Sequence, residues 1–173
     1  VRRGSGTYVV NTTPSDLDPL GLSGAEDKMA LALDLVNVRL ILEPGIAEMA
    51  ALNATEKAIL ELRCCCERVE ERIASGDMYI QDDIAFHTSV ARCSGNKVVE
   101  QLIPIIDTAV MMFVNVTHQR LTKETVMTHR AIVDAISDRD PIGAKTAMMM
   151  HMTYNRNMIL KLIREEKEKN HKE

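Results

Sequence analysis

From Ala25 onward, apolar side chains recur at spacings of three and four, with no sustained two-residue alternation. That period belongs to amphipathic helices with one buried stripe each. The spacing predicts a first helix over Ala25–Leu52, with Leu31, Leu35, Leu42, Ile46 and Met49 as its stripe. Pro44 is expected to bend or break it, since proline lacks the N–H that the helix needs. Asn53 or Thr55 caps a second helix through Ala74, closed by Ser75-Gly76. A third runs over Met78–Ser94 and stops at Gly95-Asn96; a fourth covers Lys97–His118 with a kink at Pro104. Thr122 caps a fifth ending near Ser137. Asp140-Pro141, a cap residue followed by a first-turn proline, opens a sixth that reaches Glu166. The closing EEKEKNHKE is a charged tail expected to fray. The expected fold is all-α, an antiparallel helical bundle of about six to seven helices.

Composition agrees with that fold and narrows the function. The body is rich in Leu, Ile, Ala, Met, Glu, Lys and Arg, which favour helices, and aromatics are only 3%. A net charge of −4 argues against the bulk of the chain being a nucleic-acid surface. No apolar run approaches the roughly 20 residues needed to span a bilayer, and no secretory signal opens the chain. Cys64, Cys65 and Cys66 are consecutive and Cys93 stands apart, a pattern unlike a disulfide framework, so a reducing cytoplasm is the expected setting.

Residues 1–24 differ from the rest. VRRGSGTYVV has a Gly-Ser-Gly turn followed by the β-favouring Tyr8-Val9-Val10, half of a hairpin whose partner strand would precede Val1. Pro14, Pro19, Gly21 and Gly24 then mark a linker.

Several polar residues fall on helix faces that should be apolar. Asp83 and His87 are four apart, one above the other on a helix whose apolar period comes from Ile80, Ile84, Val90 and Ala91. Buried without partners, such groups are costly. His129 lies within the stripe of Val126, Val133 and Ile136, and His151 within that of Ala144, Met148, Met158 and Leu162. Asp83 and His87 alone suit a local hydrogen bond. Three inward imidazoles and a carboxylate from three helices suit a divalent transition metal, zinc first, with nickel and manganese as alternatives. Arg39 sits on the stripe between Leu35 and Leu42. It either grips a ligand carboxylate or pairs with Glu43 four residues on, and spacing does not separate the two. The Met148–Met150 run with Met152 and Met158 is read as core filling, and the cysteines as packing or surface residues. His118 and His171 receive no role.

Catalytic patterns are missing. There is no His-Glu-x-x-His to deliver a general base beside a metal, no Glu-x-x-His pair, no phosphate loop and no nucleophile elbow. Binding is favoured over turnover, with no catalytic residue expected.

The segments RLILEPGIAEMAA, DIAFHTSVARCSGN, THRAIVDAISDRDP and AMMMHM give residues from about Leu31 to Leu162 a family likeness. This region resembles the FCD domain, the all-helical effector-binding domain of the FadR subgroup of GntR-type bacterial transcription regulators. The resemblance implies a divalent metal at Asp83, His87, His129 and His151, in a central metal and ligand pocket. It implies an effector carboxylate at Arg39 and a cap role for Asn96. VRRGSGTYVV resembles the end of the wing in the family's winged helix–turn–helix. Residues 1–24 are then a wing remnant plus linker, and residues 25–173 the FCD-like domain. Operator DNA is expected to be bound only through the missing N-terminal domain of the full-length protein, the chain being a truncated form or proteolytic core. A small carboxylate or sugar-acid effector, a homodimer, no membrane partner and a cytoplasmic location complete the expectation. The alternatives are a metal-dependent enzyme acting on a small organic acid and a bundle with a purely structural metal.

Overall fold

The computed structural model describes residues 25–170; the expected wing remnant and linker, and His171, lie outside them. The described chain folds into seven helices: α1 Lys28–Asn53, α2 Glu56–Ser75, α3 Ile80–Cys93, α4 Lys97–Glu100, α5 Ile103–Thr117, α6 Thr122–Ser137 and α7 Pro141–Asn170. Among the described residues there is no strand, and no helix is long and apolar enough to cross a membrane.

Local chemistry sets most of the boundaries. Asp27 caps α1 by accepting from the amide of Ala30, and Thr55 caps α2 by accepting from Ala58. Gly76, at φ +75°, closes α2 in the left-handed region where a side chain is strained. Asn96 caps α4 as expected, accepting from Val98 and Val99. Asp140 accepts from Gly143 and opens α7.

Four expectations are corrected. Pro44 neither breaks nor ends α1, which continues through Asn53. An interior proline costs about 3 kcal/mol through a lost hydrogen bond and a ring clash, and α1 carries it while packed against α3, α5, α6 and α7. The expected fourth helix is two, because Pro104 sits in the first turn of a new helix, α5, where it needs no hydrogen bond. Leu121, rather than Thr122, holds the cap position of α6. The charged stretch after Glu166 remains helical to Asn170. The stripe of α1 is also rotated. Leu35 and Ile46 are buried as expected, but Leu31, Leu42 and Met49 are only half-buried, and Arg39 and Glu43 take inner positions instead.

The two longest helices, α1 and α7, run antiparallel. Arg156 donates to Asn37 at 2.9 Å near one end, and Lys145 pairs with Glu48 at 2.7 Å near the other. Helix α6 lies against α7 and α2, and α3 against α2, α5 and α1. Leu62, Phe86, Ile132, Ile136, Met148, Met152 and Ile159 fill the interior. The inner faces of α1, α3, α6 and α7 meet at mid-bundle, and the polar residues singled out above sit there.

Candidate metal centre

Helix α3 carries Asp83 and His87 one turn apart, α6 carries His129, and α7 carries His151. All four are buried, at 4, 2, 0 and 3% exposure. His87, His129 and His151 each bring a ring nitrogen within 4.8 Å of the other two. Asp83 is not part of this mutual triplet but approaches it at His129, its Oδ1 standing 3.4 Å from Nε2. Both of these atoms are buried without a hydrogen-bond partner. Buried polar atoms are rarely left so. Two ligands held at about 2.1 Å and the tetrahedral angle lie about 3.4 Å apart, so this orphaned pair has the spacing of two donors to one ion. The donor set, imidazoles with a carboxylate, fits a divalent first-row metal.

The electrostatics keep the imidazoles usable as ligands. Burial pushes His129 well below the usual imidazole value, and His151 is lowered by burial and then by His129. Burial pushes Asp83 upward. Phe86 stacks face to face on His129, ring centroids 3.8 Å apart, and fixes the plane of that ring.

Arg39 reaches this cluster from α1. It is 2% exposed, and the two readings left open by spacing are both realised in part. Its Nε donates to Glu43 Oε1, and its Nη2 lies 3.4 Å from Oε2. The same Nη2 lies 3.0 Å from His87 Nε2, while Nη1 is buried with no partner. The guanidinium is therefore the pair partner of Glu43 and also carries an unmet donor beside the histidines. Burial, the largest influence, raises Glu43, but the Arg39 charge and the contacts with His87 together outweigh it and hold the carboxyl well below its ordinary range.

Three further residues touch the cluster, and of these the sequence named only Glu43, as a pair partner for Arg39. Glu43 Oε2 stands 2.7 Å from His87 Nδ1, off the line of a regular hydrogen bond. Thr128 Oγ1 lies 2.8 Å from His151 Nδ1, and Asn155 Nδ2 lies 3.4 Å from His151 Nε2. Asn155 is four residues after His151 on one helix face, a legible spacing. Thr128 meets His151 only through the packing of α6 on α7, which no local pattern announces. His118 lies apart as the exposed left-handed cap of α5, at φ 48°. Among the cysteines, Cys64 is exposed and Cys65, Cys66 and Cys93 are buried thiols. Of the methionine run, Met148 and Met152 are core and Met149 and Met150 face outward.

The sequence pattern of the FCD domain matches residues 34–154. A Uxu operon regulator of Haemophilus influenzae is 30% identical over 167 residues, covering 88% of this chain and 58% of its own length. The Uxu operon transcriptional regulator of Escherichia coli is 28% identical over 165 residues, with 88% and 62% covered. A putative L-lactate dehydrogenase operon regulatory protein of Escherichia coli is 28% identical over 164 residues, again with 88% and 62% covered. The chain thus spans about three fifths of the length of these relatives. Among solved structures, Streptococcus agalactiae GntR superposes with a TM-score of 0.72 at 33% identity, over 91% of this chain and 73% of that one.

Proposed function

The chain belongs to the FCD-domain family of GntR-type transcription regulators, and from that premise we propose that it is the regulator's metal-dependent effector sensor. The observation that carries this reading is the convergence of orphaned groups. Asp83 Oδ1, His129 Nε2 and Arg39 Nη1 are all buried and unpartnered at the junction of α1, α3 and α6. Asp83, His87, His129 and His151 would hold the ion. A divalent ion there supplies Lewis-acid binding to the oxygens of a small acid. Arg39 supplies the charge that pairs with the acid's carboxylate, through donors fixed by Glu43. The enzymatic alternative is set aside, since the matched relatives are named as regulators.

The effector class is a small carboxylate, either a sugar acid or a hydroxy acid. One relative is named for an L-lactate dehydrogenase operon, and lactate is a 2-hydroxy acid that offers a metal both a carboxylate and a hydroxyl. In the intact regulator, a homodimer in the cytoplasm, effector binding would shift the balance between two arrangements that differ in affinity for operator DNA. The full burial of all four ligands favours one second reading, a purely structural metal.

One experiment separates these. The zinc-loaded chain is melted with a panel of sugar acids and hydroxy acids. An effector at 100 times its Kd stabilises by about 2.7 kcal/mol, and Arg39→Ala abolishes the response while zinc stays bound. A panel with no stabilising acid rejects the sensor reading and leaves the structural one.

A further inference from the structure

A metal centre of this kind needs each imidazole to present an unprotonated nitrogen, and a neutral imidazole has two tautomers. Hydrogen bonding selects the same tautomer at two of the three histidines. At His87, the nearest group to Nε2 is Arg39 Nη2 at 3.0 Å. A guanidinium only donates. His87 Nε2 is therefore the acceptor, and the ring proton is on Nδ1, where Glu43 Oε2 stands 2.7 Å away as its charge partner, off the line of a regular hydrogen bond.

At His151 the same result follows from a hydroxyl. Thr128 Oγ1 has one proton, and the carbonyl of Glu124, one turn back on α6, lies 2.7 Å away to take it. The carbonyl of Thr125 is a further acceptor at 3.3 Å. The oxygen thus faces His151 with a lone pair and accepts from Nδ1–H at 2.8 Å. The other side of the ring agrees, since Asn155 places an amide Nδ2 3.4 Å from Nε2, a donor toward a lone pair. His129 has no such device, both its ring nitrogens lacking hydrogen-bond partners.

We propose that Glu43 and Thr128 are positioning residues that preset His87 and His151 as Nδ1–H tautomers, so that Nε2 of each ring carries the lone pair a metal would take in place of the donors now facing it, Arg39 Nη2 and Asn155 Nδ2. The purpose of this arrangement rests on the metal-sensor reading; the tautomers themselves do not. Partners of this kind orient ligating histidines, and their loss costs about 10–100-fold in metal affinity.

The test uses the full chain, labelled with nitrogen-15 and treated with a chelator. Long-range proton–nitrogen spectra of the imidazoles are expected to show His87 and His151 protonated at Nδ1. Thr128→Val removes the hydroxyl at nearly constant shape, so His151 should become a tautomer mixture while His87 is unchanged. In Glu43→Gln, Arg39 still faces Nε2 while the amide NH2 can turn toward His87 Nδ1, so His87 should become a tautomer mixture. Competition with a chromophoric chelator should show zinc bound about 10–100-fold more weakly by each variant, with Thr128→Ser restoring the wild-type value. Wild-type spectra with either ring protonated at Nε2 overturn the proposal, whether or not the variants fold. So does wild-type zinc affinity in both Thr128→Val and Glu43→Gln. A wild-type chain that takes up no zinc, nickel or manganese overturns the metal reading instead, and the metal-free spectra still decide the tautomers.

Discussion

Asp83 Oδ1 and His129 Nε2 face each other at 3.4 Å, each buried and neither hydrogen-bonded to anything. A carboxylate oxygen kept there without a hydrogen bond is a cost to the metal-free fold and an asset to a metal complex. Asp83→Asn separates the two. Zinc affinity should fall by at least about 100-fold, beyond the effect of an outer partner, while the metal-free protein gains about 1 kcal/mol from losing a buried charge. Chelator competition and urea melts read the two effects, and unchanged zinc affinity would remove Asp83 from the centre.

Arg39 and Glu43 form an ion pair with both members 2% exposed. Removing one member of such a pair leaves an uncompensated charge, so Arg39→Met should cost about 3–5 kcal/mol. The double variant Arg39→Met with Glu43→Leu should recover most of that loss, because apolar side chains of similar volume tolerate the site. Equal losses in the single and double variants would show that the pair is not coupled.

Stability should depend on pH through His129 and His151. Both have folded-state pKa values depressed well below that of the free side chain, for which burial is the first cause. The unfolded chain then binds protons that the folded chain refuses. Their contribution is complete above about pH 6.5 and declines as pH falls below it. With chelator present, the unfolding free energy from urea melts should drop between pH 7 and 5, by up to about 1.4 kcal/mol per pH unit for each histidine. Glu43, also depressed, adds a loss of the same sign at lower pH, and Asp83, raised by burial, opposes it. A flat profile from pH 7 to 5 would contradict the neutral buried imidazoles.

Two glycines should respond differently to alanine. At Gly76 an added Cβ meets nothing within 4 Å, so Gly76→Ala carries only the strain of φ +75°, about 1 kcal/mol. At Gly143 the added carbon would lie 2.2 Å from Asp140 Oδ2, and the cap of α7 must shift, costing about 1–2 kcal/mol. Thermal melts of the two variants test the pair. Helicity near the start of α7 should fall only in Gly143→Ala.

The buried cluster was legible because Asp83, His87, His129 and His151 each interrupt an apolar stripe, and a polar residue on an inner face has few reasons to be there. The helices were legible for the same reason, through their period. Breaks at proline were less so. Pro44 and Pro104 look alike in sequence, yet one is carried inside a helix by tertiary packing and the other starts a helix. Arg39 shows a different limit. Spacing presented a ligand grip and a pair with Glu43 as alternatives, whereas one guanidinium with five donors reaches Glu43 and His87 together. Thr128 was invisible because its hydroxyl matters only where α6 meets α7.

Helix α7 has mechanical reach. From His151 to Glu166 is about 22 Å at 1.5 Å per residue, and Glu166 shares a groove with Met29 and Leu33 in the first turns of α1. A tilt of about 5° about His151 therefore sweeps that end sideways by about 2 Å, by the length of the helix alone. A small rotation at the histidine would be magnified beside Met29 and Leu33, at the start of α1.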